Sequence, residues 1–203
     1  MIDMNIPGQM NYAELDFLQT LARKVPSKGV VVELGSLYGR SSFTWGTSVD
    51  PSVSVYCIDP WERDGWIMDL VEKCIPSCPP FGHEAFRRFT RGIPTIMPII
   101  GRSPDDVRNW TRAVDVYFDD SMHHNPYFRD NLYFWLAFMK PGGIMCGHDY
   151  CAKWPDVCDE VDLLAEKLGA SVGVVNSVWW LELPQKLPVK FQFKKFMSKF
   201  GLA

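Results

Sequence analysis

Apolar positions along this chain switch between helical and extended spacing, and the switches predict its elements. Over residues 12–24, Leu15, Leu18 and Leu21, with Phe17 and Ala22 beside them, predict a helix with one buried face, ended by Pro26 and Gly29. Val30–Leu34 is a short β-branched run bounded by glycines and reads as a central strand. A helix is expected from Ser41, then a strand over Val53–Ile58 that ends at Asp59. Residues 61–82 are irregular, with Pro76, Pro79, Pro80 and two cysteines, and read as a lid inserted after the second strand. Beyond it come a helix over 83–91, a strand over 95–100, a short helix over 104–110 and a strand over 114–119. A helix over 127–139, a turn at Pro141-Gly142-Gly143 and a strand over 144–147 follow. The pattern closes with a helix over 156–168 and an antiparallel pair of strands over 172–175 and 178–183.

Strands alternating with helices predict an α/β fold: a doubly wound, mostly parallel, Rossmann-like sheet with helices on both faces and an antiparallel pair at its C-terminal end. The 203 residues suffice for one domain over 1–203, with residues 1–28 as an N-terminal helix and cap. The tail from residue 185 alternates Lys with Phe. It reads either as a basic amphipathic segment for a membrane surface or partner, or as a last strand and helix packing their Phe rings.

Composition narrows the classes. A net charge of −3 and a pI of about 5.8 give no broad electrostatic footprint for nucleic acid. No run reaches the roughly 20 apolar residues of a membrane span, and the N-terminus lacks signal-peptide features, so a cytoplasmic protein is expected. The six cysteines are scattered and read as reduced structural thiols; Cys74 and Cys78 have no second pair to complete a zinc site. An aromatic content of 14% with eight Trp fits a deep core or an apolar pocket for an organic substrate. The exposed edge and Phe-rich tail are compatible with a homo-oligomer.

In sheets of this kind ligands bind outside the carboxyl ends of the strands. Glu33, Asp59, Ser103, Asp120, His148 and Asp149 all fall at or just past predicted strand ends. The first strand leads into Glu33-Leu-Gly35-Ser-Leu-Tyr-Gly39, a turn whose glycines let backbone approach a ligand. The helix that follows points its N–H groups at that ligand. Leu37 stands where the three-glycine dinucleotide pattern has its second glycine, which disfavours NAD or FAD. Asp59, at the next strand end, is placed to bind ribose. A ligand with ribose hydroxyls and a positive group but no pyrophosphate fits, and S-adenosyl-L-methionine is such a ligand.

The segments IPGQM (6–10), VVELGSLYGRSS (31–42), VYCIDPW (55–61), PIIGRSPDDV (98–107), DVYFDDSMHH (115–124) and MKPGGIMCGHDY (139–150) together resemble a class I S-adenosylmethionine-dependent methyltransferase. They are most similar to the small-molecule O-methyltransferase branch that includes macrolide-sugar methyltransferases and cephalosporin-hydroxylase-like proteins. The resemblance implies that Glu33, Gly35 and Gly39 line the methionine end of the cofactor, with Ser36, Tyr38 and Ser41 near it. It implies Asp59 on the ribose with Trp61 alongside, Arg102 and Ser103 beside the adenine, Asp120 near the cofactor, and Gln9 covering the site.

DDSMHH and HDY bring Asp120, His123, His148 and Asp149 to neighbouring strand ends, where carboxylates and imidazole suit a divalent metal. In metal-dependent relatives an Asp after the fourth strand and an acidic pair after the fifth hold Mg²⁺, and a His three residues past the first Asp is the base. The resemblance thus implies Asp120 and Asp149 as ligands and His123 as base. His148 stands where those relatives carry Glu; Mn²⁺, Fe²⁺ or Zn²⁺ tolerate imidazole better than Mg²⁺ does. His148 reads alternatively as a residue behind the ligands or against substrate, and the site alternatively as metal-free, with Asp120 orienting cofactor and substrate. Asp119 reads as a strand-end acid and His124 as a surface residue.

The expected function is methyl transfer to a hydroxyl of a small molecule such as a sugar or polyketide diol, with Trp66, Phe81 and Trp154 shaping the acceptor pocket. The alternatives are a non-catalytic cofactor-binding module, an NAD-dependent oxidoreductase, or a nucleic-acid methyltransferase hinted at by HNPYF (124–128).

Overall fold

A computed structural model describes residues 1–63, 67–69, 71 and 78–186. Trp66, Cys74 and most of the Lys/Phe tail lie outside the described residues. Seven strands, β1 Val30–Leu34, β2 Ser54–Asp59, β3 Ile96–Ile100, β4 Val114–Asp119, β5 Met139–Gly147, β6 Gly173–Val175 and β7 Val178–Glu182, form one sheet in the order β3-β2-β1-β4-β5-β7-β6. The first five are parallel; β7 runs antiparallel to β5 and β6 antiparallel to β7, so β6 again points with the parallel strands. The strand order reverses between β1 and β4, the switch point at which such sheets open a crevice.

Alternation along each strand divides the core in two. Val31, Val55, Val116 and Phe118 face α1 (Tyr12–Ala22), α2 (Arg40–Ser48) and α3 (His83–Phe89), meeting Leu15, Leu18 and Trp45. Val30, Val32, Tyr117 and Met145 face α4 (Tyr127–Leu136) and α5 (Pro155–Leu168), meeting Leu132, Trp135 and Val161. Among the described residues no helix is long and apolar enough to cross a membrane.

Two elements differ from the expectation. The short helix over 104–110 shrinks to a 3-10 turn, Asp105–Val107, because the Asp106 carboxylate accepts from the Arg102 amide and competes with helical bonding. The helix over 127–139 stops at Leu136, because Phe138 turns its carbonyl to the Val114 amide and starts β5 early. Pro141-Gly142-Gly143 therefore lies inside β5 as a register shift against β4 rather than before it. Gly142 sits at φ +71°, which supplies the kink.

Candidate active site

Register brings the acids to one level. Leu34 pairs with Ile58 and with Asp119, and Asp119 pairs with Gly147. Hydrogen bonds continue one residue past the strands, Gly35 N to Ile58 O, Asp120 N to Leu34 O and His148 N to Asp119 O, so the residues that follow leave the sheet from fixed points.

The glycine turn is held from within. Glu33 is fully buried, and its Oε2 accepts from the hydroxyls of Ser36 (2.8 Å) and Ser42. Its Oε1 has no hydrogen-bond partner among the described residues. Burial pushes the carboxyl upward, and hydroxyls of Ser42, Ser41 and Ser36 pull against it. Gly35 sits at φ +79°, and a Cβ there would lie 2.0 Å from the Asp120 carbonyl oxygen. Gly39, at φ +97°, is the N-cap of α2 and packs against Thr90 and Phe86. Asp59 accepts from the amides of Leu37 (3.0 Å) and Trp61 (2.6 Å), which ties the turn to the segment after β2. Burial raises its carboxyl to about 6, against those two amides. Trp61 completes the tie by donating its indole N–H to Leu37 O.

The remaining expected cofactor residues spread outward. Tyr38 points into the core and donates to Pro79 O, packed against Phe81 and Phe89. Arg102 pairs with Glu62 at the surface, and Ser103 Oγ accepts from the Trp135 indole. Gln9 is exposed.

The Asp/His residues converge. His123 Nε2 is ion-paired with Asp149 Oδ2 at 2.8 Å and lies 3.8 Å from Asp120 Oδ1, but off hydrogen-bonding direction, so that buried nitrogen has no hydrogen-bond partner among the described residues. Asp149 itself takes a left-handed backbone, φ +63°. Trp154 stacks on the His123 ring with centroids 4.6 Å apart. Although burial disfavours the imidazolium, Asp120 and Asp149 draw His123 up to about 9. The same pairing holds Asp149 well below the usual carboxylate range against its own burial. His148 approaches from the other side, its Nδ1 3.4 Å from Asp149 Oδ2 and 3.7 Å from Asp120 Oδ1. Asp119 stands apart, accepting from Tyr117 Oη and Ser121, and His124 is exposed.

A divalent cation fits this donor set. One atom each of Asp120, His123 and Asp149 lie within 4.8 Å of one another, and none of the three is fully exposed. Asp120, His148 and Asp149 would hold the ion in the arrangement read from the sequence, while His123 stands equally near.

Three residues were not visible as functional in the sequence. Ser42 shares Glu33 with Ser36. Arg40 opens α2 and donates to the carbonyls of Ile6 (2.6 Å) and Met10 (2.8 Å), strapping the N-terminal segment down. Glu14 reaches His148 from α1, with Nε2 and Oε2 3.3 Å apart. Its signal was present only as Asn11-x-x-Glu14, which reads as a helix cap.

Comparison with known proteins follows the same lines. A search of curated proteins finds no match. Among solved structures, the O-methyltransferase TomG from Streptomyces achromogenes, in complex with SAM, superposes with a TM-score of 0.62 at 17% identity, covering 88% of this chain and 82% of that one. Cofactor-bound Rv0187 from MTB gives 0.64 at 14% identity, with 88% and 82% covered. An O-methyltransferase from Bacillus cereus in complex with SAH gives 0.60 at 15% identity, with 89% and 84% covered. At these identities the likeness shows a shared fold. The sequence itself matches the family described as a methyltransferase domain over residues 32–150, from the middle of β1 to just past the His148-Asp149 pair. With more than half of its length inside that match, the chain belongs to the methyltransferase-domain family.

Proposed function

We propose that this chain is an S-adenosyl-L-methionine-dependent O-methyltransferase acting on a hydroxyl of a small molecule. One observation carries the proposal. Gly35 lies so close to the Asp120 backbone that the glycine turn and the Asp/His cluster are adjoining walls. A methyl donor seated on the turn is thereby next to a base. The O-methyltransferases of like fold, two of them bound to SAM or SAH, support the same reaction type.

Methyl transfer to oxygen is an in-line displacement at a sulfonium, and its demands are alignment and removal of one proton. The unpartnered Glu33 Oε1 can take the donor's amino group, and Asp59 its ribose hydroxyls. Arg102 and Ser103 lie toward the adenine side. In its neutral form His123 takes the acceptor's hydroxyl proton, and Asp149, 2.8 Å away, stabilises the imidazolium that results. Because the carboxylates draw His123 up to about 9, turnover should rise with pH toward that value. Trp154, stacked behind His123, limits the acceptor from that side. Mg²⁺ or Mn²⁺ held by Asp120 and Asp149 would supply a Lewis acid that lowers the pKa of the hydroxyl. A vicinal diol suits such a site because both oxygens can face the carboxylate pair.

The test has two parts. S-adenosylhomocysteine should bind the folded protein in calorimetry, whereas NAD(H) should not raise its melting temperature. Across a panel of diols and catechols, His123→Ala should lower turnover by about 10²-fold or more, the usual contribution of a general base, and leave cofactor affinity intact. Turnover equal to wild type in that variant would reject His123 as the base.

A further inference from the structure

Behind the carboxylate pair lies a polar relay that methyl transfer does not by itself require. Ser177 Oγ is 2.9 Å from Glu14 Oε1 and 2.9 Å from His148 Nε2. Glu14 is 3% exposed, and its other oxygen accepts from the Asn11 amide at 2.9 Å. The proton directions can be worked out. A carboxylate only accepts, so the Ser177 hydroxyl spends its single proton on Glu14. Ser177 Oγ must then accept from His148, which places a proton on Nε2. Glu14 Oε2, 3.3 Å from the same Nε2, favours that proton too.

A neutral His148 therefore carries its lone pair on Nδ1. The side chain is nine-tenths buried, and Nδ1 faces Asp120 and Asp149 at 3.7 and 3.4 Å. A lone pair facing two carboxylates is electrostatically unfavourable unless a proton or a metal cation lies between them. Against its burial, Asp120 and Asp149 draw His148 well above its ordinary value, so a metal ion bound there would take the place of the Nδ1 proton. An imidazole that ligates a metal through one nitrogen while a carboxylate fixes the other is a stable arrangement. Wired this way, His148 is a nitrogen donor presented ready-made beside two oxygen donors.

We infer that Glu14, acting through Ser177, is a positioning residue that fixes the Nε2–H tautomer of His148. Nδ1 thereby becomes the third ligand, with Asp120 and Asp149, of a nitrogen-tolerant divalent cation such as Mn²⁺ rather than of Mg²⁺. The N-terminal helix is thus part of the metal centre, although its sequence carries no metal motif. The inference rests on the Asp/His cluster of the proposed methyltransferase site, but not on the cofactor or the acceptor.

The test uses the whole chain, stripped with a chelator and titrated with MnCl₂ or MgCl₂. Calorimetry and electron paramagnetic resonance read the free and bound ion. Wild type should bind one Mn²⁺ per chain, more tightly than Mg²⁺. Glu14→Gln should weaken Mn²⁺ binding by about tenfold to a hundredfold, the usual effect of removing a residue that orients a ligand. Ser177→Ala, which leaves the helix cap intact, should shift it in the same direction. His148→Ala should reduce Mn²⁺ affinity further and remove nitrogen hyperfine coupling from the spectrum. Circular dichroism and S-adenosylhomocysteine binding, measured on each variant, separate a folding defect from a lost ligand. Wild-type protein that binds S-adenosylhomocysteine but no Mn²⁺ at millimolar concentration would overturn the inference while leaving the methyltransferase proposal standing. Unchanged Mn²⁺ affinity in both Glu14→Gln and Ser177→Ala would overturn the positioning role.

Discussion

Asp59 shows how much one side chain can be asked to do. Its carboxylate holds two backbone amides across a buried junction, yet burial keeps its proton affinity high, at about 6. That is above its ordinary value, so between pH 4 and 6 the native state binds more protons here than the unfolded chain does. This residue's contribution to stability therefore falls as pH rises through that window. Cofactor binding should run the opposite way, because ribose hydroxyls donate to the ionised form. S-adenosylhomocysteine affinity should increase from pH 5 to pH 7, with proton release visible as a buffer-dependent heat near pH 5.5. In Asp59→Asn the proton release should vanish and affinity should be low at every pH. The sequence located this acid through its strand-end position. It did not show that the same oxygens clamp Leu37 and Trp61, because both sit at positive φ, Leu37 in the glycine turn and Trp61 just after β2, in shapes that exist only once folded.

At the scale of elements, α1 has an N-terminus made by a reciprocal cap. Asn11 accepts from the Glu14 amide at 3.1 Å, and Glu14 accepts from the Asn11 amide. Asn11→Ala should cost about 1 kcal/mol of stability, read as a lower denaturant midpoint with unchanged slope. Cofactor affinity should stay at the wild-type value, since the cap does not touch the glycine turn. The helix periods were legible because Leu15, Leu18 and Leu21 repeat on one face. The end of α4 was not, because Phe138 and Met139 continue an apolar pattern that suits a helix and a strand alike. Only pairing with Val114 draws Phe138 out of the helix and assigns Met139 to β5. Likewise Asp106 is polar in either reading, and its bond to the Arg102 amide shortens the helix expected over 104–110.

The whole molecule divides its labour between the two ends of the sheet. The carboxyl ends carry the turn and the Asp/His cluster. At the opposite end Lys140 bridges β5 to β4 by gripping both oxygens of Asp115 at 2.7 and 2.8 Å, and Asp115 also accepts from Val30 N. A cavity of about 340 Å³ lined by Lys24, Pro26, Asp115, Lys140 and Gly143 lies at this end, away from the proposed chemistry. Lys140→Met should destabilise the protein by about 1–3 kcal/mol, because a nearly buried carboxylate loses its main partner. Thermal unfolding should report that loss, while S-adenosylhomocysteine affinity and methyl transfer remain at wild-type levels.

Taken alone, the sequence determined the strand–helix alternation, the parallel sheet, and the set of acids and histidines at its carboxyl edge. These follow from period and from position relative to strand ends, which are local properties of the chain. What only the tertiary structure decided is which of those residues meet and what stands behind them. The contacts of Glu14 with Ser177 and His148, of Gly35 with Asp120, and of Arg40 with the N-terminal carbonyls join segments far apart in the chain. Each depends on strand register and helix packing, which no local pattern encodes.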